Sequence, residues 1–135
     1  MEVTVNNNTS KRHFDGNVVG KDFVSFYYTN LCGDVGMIEN AKLIKDYTKF
    51  LFNNIVFEGN NIMTVLRCMN ESNVTVHDCS CEVLDSGSRL IYILVTGKMI
   101  NKNAENSFSQ TFTINYLGEK EQNKWAIVNS ILIMK

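Results

Sequence analysis

The chain has 135 residues, 44% of them hydrophobic and 20% charged, and a formal net charge of −1. That length allows one domain with a sizeable core and is short for two. The charge balance excludes the basic surplus of a nucleic-acid binder and any acidic tail, and the longest apolar run, Leu90–Val95, is far short of a membrane-spanning helix.

Residues 1–15 are Asn-rich and lack a sustained apolar period, so they read as a flexible N-terminal arm ahead of a domain over 16–135. Val19, Phe23, Phe26 and Tyr27, with Leu31 at the edge, form the stripe of an amphipathic helix that "GDVG" at 33–36 ends. Ile38, Ala41, Ile44 and Tyr47 predict a second, shorter helix. "KFLFNNIVFEG" reads as a hairpin: Phe50 and Phe52 alternate before Asn53-Asn54, and Ile55 and Phe57 after. Asn tolerates the positive φ of a primed two-residue turn, and Gly59 ends the unit. Ile62, Val65, Leu66 and Met69 then recur at helical spacing, with Asn60 or Asn61 as the expected N-cap.

From Asn73 onward the chain reads as strand: "NVTVHDCSCEVL", "RLIYILVTGKMI", "FSQTFTINYL" and "KWAIVNSILIM". "DSGS" at 85–88 and "GEKEQN" at 118–123 join successive strands, and a polar loop is expected between Ile100 and Phe108. Helices first and a meander of long strands afterwards predict an α+β fold, with helices on one face of a strongly curved antiparallel sheet.

Phe108, Phe112 and Ile114 alternate with Ser109, Thr111 and Thr113, so the first row faces the helices and the second faces outward. Gln110 falls in the apolar row and is expected to be a satisfied structural amide. The last strand is apolar on both sides: Trp125, Ile127, Ile131 and Ile133 form one row, and Ala126, Val128, Leu132 and Met134 the other. A strand apolar on both sides is covered on both sides.

"HDCSC" sets His77, Cys79 and Cys81 on one face of a strand, but there is no second pair at ligand spacing, so no metal is expected. The sequons at Asn7, Asn8, Asn70 and Asn73 read as chance in an Asn-rich chain. The N-terminus lacks the blocks of a signal peptide, which predicts a cytosolic or nuclear protein with reduced thiols.

In order, "DFVSFYYTNL", "FEGNNIMTVL", "VHDC", "ILVTGKM", "FSQTFTI" and "WAIVNSILI" resemble the nuclear transport factor 2 superfamily, and within it the transport branch, over Val19 to Lys135. Gly97 and Gln110 hold the places of that pattern's V-x-G and F-x-Q-x-F strands. The resemblance implies a cone of helices against a bent sheet, dimerised sheet to sheet, with Leu94, Ser109, Thr111, Thr113 and Ile131 on the dimer face.

The superfamily also includes isomerases, dehydratases and cyclases that work inside the cone. Here the candidates for such chemistry are Asp78, His77 and Tyr47, and no acid–base pair stands among them at working spacing, so no catalytic residues and no cofactor are expected. Asp78 fits better as a strand-end carboxylate of the transport branch. Within that branch one role is the homodimeric carrier of Ran-GDP, which also touches nucleoporin Phe-Gly repeats. The other is the small heterodimeric subunit of a messenger-RNA export receptor. The carrier's Ran site is acidic. Its positions fall on Phe52, Asn53, Lys102 and Glu105, where Lys102 would repel the lysines of Ran. The carrier's aromatic before the first helix has Gly16 near its place, and Ile133 and Met134 stand near where an aromatic–Arg ending is usual. The export-cofactor role is therefore expected, with protein partners, tight Ran-GDP binding not expected, and transit between nucleus and cytoplasm.

Overall fold

The computed structural model describes residues 13–102, 104–121 and 124–135. Of the expected arm, residues 1–12 lie outside them. Phe14 and Asp15 pack and cap as follows. Asp15 is the N-cap of α1 (Gly16–Leu31), its carboxylate accepting from the Asn17 N–H at 2.9 Å. Phe14 lies with its ring centroid 4.9 Å from each of Tyr116 and Trp125. An aromatic thus does precede the first helix, two residues before Gly16.

α1 buries Phe23, Val24, Tyr27, Tyr28 and Leu31. Gly20 lets it approach the sheet: a Cβ there would meet the Val83 methyls at 2.7 Å. The second helix, α2 (Gly36–Asn40), is shorter than its apolar spacing predicts. The chain turns at Lys42, with φ 54, and Ile44 and Tyr47 lie on strand β1 (Ile44–Phe52). Long-range pairing of β1 overrides the local period, beginning where the Ile127 N–H donates to Leu43 O. Strand β2 (Ile55–Glu58) closes the predicted hairpin, and Asn53 and Asn54 both have positive φ, 52 and 65. Helix α3 (Asn60–Glu71) is N-capped by Gly59, not by Asn60 or Asn61. The Gly59 N–H is spent on Thr48 O, which ties the helix entry to β1.

The long strands are β3 (Thr75–Asp85), β4 (Leu90–Asn101), β5 (Ala104–Tyr116) and β6 (Trp125–Met134). β4 and β5 run on past the loop expected between Ile100 and Phe108, pairing through Asn101 and Ala104. The six strands form one curved sheet in the order β2-β1-β6-β5-β4-β3. It is mixed, not purely antiparallel, because β1 pairs parallel with β6. Parallel neighbours need a long crossover, and everything from β2 to β5 serves as one.

Two bulges shape the sheet. In β6 the register slips between Thr113↔Asn129 and Ile114↔Ile127, so Ile127 turns inward beside Ser130 and Leu132. The outer row expected from Trp125 through Ile133 is therefore broken at Ile127, while Ile131 and Ile133 do face out. In β3 the slip lies between His77 and Ser80, with Asp78 at φ 53. Opposite it stands Gly97, where a Cβ would lie 2.9 Å from His77 O and 3.0 Å from the Cys79 thiol. This close approach is why the strand carries glycine there.

The core lies between the helices and the inner sheet face. Phe112 is edge-on to Phe23 at 5.0 Å and to Tyr27 at 4.9 Å. Phe26 is only partly buried and stands beside this cluster. Gln110 is fully buried as a structural amide: Tyr28 Oη donates to its Oε1 at 2.6 Å, and its Nε2 donates to Ser130 Oγ at 3.0 Å. The Ser130 hydroxyl in turn donates a hydrogen bond to Thr111 O at 2.8 Å. An amide in an apolar row is tolerated because both its ends are engaged.

Candidate functional site: the outer face of the sheet

Period-2 alternation sends every second residue of the long strands away from the helices. Register then fixes their neighbours. Glu82, Leu94, Thr111 and Ile131 pair one to the next across β3, β4, β5 and β6, and the row continues through Leu51 and Val56. A row on one side holds Leu84, Tyr92, Thr113 and Asn129; a row on the other holds Ser80, Thr96, Ser109 and Ile133. The structure thus brings together all five residues expected on a dimer face. Leu94 and Ile131 are each 38% exposed, and Ser109, Thr111 and Thr113 are partly exposed between them.

Ile133 apart, which stands in the doubly apolar last strand, the rest of the patch is not among the residues expected on a dimer face. Val56, Leu84, Tyr92 and Ile133 are all exposed large apolar side chains on this face, and a shallow depression of about 510 Å³ runs past Leu84, Tyr92, Leu94, Thr111 and Thr113. The alternation of β4 carries a signal for Tyr92. Nothing local puts Leu51 and Val56 beside Ile131, since that depends on β1 docking against β6. Two exposed cross-strand ion pairs flank the patch: Lys49–Glu58 and Lys98–Glu105, each at 3.7 Å. They satisfy one another and leave the centre to apolar and hydroxyl groups. Contiguous exposed apolar surface of this kind marks an interaction site.

The positions that the resemblance assigns to the carrier's Ran site fall at one end of the same sheet. Phe52 and Asn53 sit at the β1–β2 turn and Lys102 at the β4–β5 turn, with β6 and β5 between them. Phe52 stacks on Phe50 at 6.0 Å. Glu105 is the acid there, and Lys98 already pairs with it.

The candidates for chemistry do not converge. The β3 bulge parts the trio in "HDCSC": His77 pairs opposite the outward Lys98, Cys81 opposite the inward Val95, and the Cys79 thiol lies against Gly97. Asp78 is exposed on the bulge within β3, not at a strand end, and Tyr47 is 53% exposed on β1. Among the sequons, Asn70 has its side-chain amide committed to Leu31 O and Gly33 O, at 2.8 and 2.9 Å. Tyr27 and Tyr28 are buried in the core. Burial pushes the Tyr27 hydroxyl up to about 12, with Gln110 pulling partly back. Burial first, then the neighbouring Tyr27 and thiols, pushes Tyr28 higher still. The space left between Tyr27, Phe50, Phe112 and Ser130 is about 10 Å³.

The helices-on-bent-sheet architecture has a counterpart in known sequences: the nuclear transport factor 2 (NTF2) domain model matches residues 19–134. The chain belongs to the NTF2 domain family. Among solved structures, nuclear transport factor 2 from Cryptosporidium parvum superposes with a TM-score of 0.70 at 19% identity, covering 89% of this chain and 94% of that one. Yeast Bre5, a protein associated with Ubp3, gives 0.68 at 17% identity, covering 91% and 98%. SalBIII, an epoxide hydrolase/cyclase-like enzyme of salinomycin pyran-ring formation, gives 0.60 at 14% identity, covering 88% and 92%. At these identities the likeness is one of fold, and this NTF2 fold carries both binding proteins and enzymes. No curated protein sequence matches the chain.

Proposed function

We propose that this NTF2-family chain is a non-catalytic protein-binding module of nucleocytoplasmic transport, working between nucleus and cytoplasm. It dimerises through the outer face of its sheet, with itself or with a similar domain, as the small cofactor of a messenger-RNA export receptor does. The observation that carries this is the row Leu94–Thr111–Ile131–Leu51–Val56, apolar and hydroxyl side chains in register across five strands and open to contact. Its binding character is supported by the scatter of the candidates for chemistry: His77 and Asp78 lie exposed on β3 and Tyr47 on β1, with β6, β5 and β4 between them. Bre5 offers a parallel, being the cofactor in a complex with the deubiquitinase Ubp3.

A second reading, a homodimeric carrier of Ran-GDP, is favoured by Phe14, which supplies an aromatic before the first helix. Against it stand Asn53 and Lys102 where the carrier offers acids, and Glu105 already paired with Lys98.

Capture from nuclear extract, with identification of the co-purifying chains, tests the assignment. A large receptor containing a similar domain is the expected result. Recovery of Ran instead moves the assignment to the carrier. A retained small molecule overturns the non-catalytic reading.

A further inference from the structure

We draw no further inference here: the strongest candidate, the apolar groove of about 350 Å³ between α1 and the start of β6 lined by Val19, Phe23, Phe26, Leu43, Ile114 and Trp125, is an unpartnered apolar surface and nothing in the structure shows what covers it.

Discussion

The Tyr28 hydroxyl donates to Oε1 of Gln110 at 2.6 Å, and this one bond joins α1 to the centre of the sheet through the core. Removing the donor alone strands a buried acceptor. Tyr28→Phe should cost about 1–3 kcal/mol, the penalty for an unsatisfied buried polar group. The double variant Tyr28→Phe/Gln110→Leu should cost less than the sum of the two single changes, since it removes both ends together. Urea denaturation of the four proteins measures the coupling. Simple additivity would mean the bond contributes nothing.

Phe112 is 1% exposed and its ring meets Phe23, Tyr27 and Tyr28. Phe112→Ala should destabilise by about 3–5 kcal/mol, the usual range for a large core truncation. A loss below about 1 kcal/mol, the level of a surface change, would place β5 in another register.

The buried tyrosines set an alkaline limit. Tyr27 keeps its proton up to about 12 when folded, against the ordinary 10.0 of an exposed tyrosine. Its contribution is therefore fully present below pH 10 and is lost as the pH rises from 10 towards 12, because only the unfolded chain releases the proton there. The slope for one such group is about 1.4 kcal/mol per pH unit, and Tyr28 acts in the same direction. Denaturation curves at stepped alkaline pH should be steeper in pH dependence for the unmodified protein than for Tyr27→Phe. Equal slopes would show that Tyr27 is not desolvated.

Leu94 and Ile131 are the apolar flanks of Thr111 on the outer face. Leu94→Arg or Ile131→Arg should leave the monomer folded and weaken association about tenfold or more, by placing an unpaired charge in the interface. Sedimentation at micromolar concentration, alone and with the captured partner, reads the change. A folded monomer in both runs before any substitution would remove the outer face as an assembly surface.

The unmodified protein should not bind Ran-GDP tightly. Restoring acids should create affinity, and the backbone directs the choice of residue. Asn53 and Lys102 have φ of 52 and 55, where Asp is better tolerated than Glu. Titration calorimetry of Asn53→Asp/Lys102→Asp at two salt concentrations should show binding that weakens as salt rises. Micromolar binding by the unmodified chain would favour the carrier instead.

What was legible in the sequence follows from local rules. The turn at Asn53-Asn54 could be read because few residues accept left-handed backbone, and the inward face of β5 because alternation is unbroken from Phe108 to Ile114. Ile44 and Tyr47 fit a helical period yet lie on β1, because three- and four-residue spacing over a short apolar stretch does not separate helix from strand; docking against β6 decides. The bulges at Asp78 and Val128 leave no compositional mark, yet each changes which side chains face out. Alternation places Leu94, Thr111 and Ile131 on the outer face, whereas the extension of that row over β1 and β2 depends on a docking that no local pattern encodes.

The parallel union of β1 with β6 also governs the order in which the molecule can assemble. Thr48 Oγ1 donates to Ile127 O at 2.5 Å across 79 positions of chain, and among the described residues this seam is where the β2-β1 hairpin joins the remaining sheet. A two-stranded ribbon is too small to be stable by itself, so β1 and β2 become part of a full sheet only when β6 docks and bridges the halves. Closing so long a loop is slow. The outer row that joins Leu94 to Val56 is therefore complete only after that late docking.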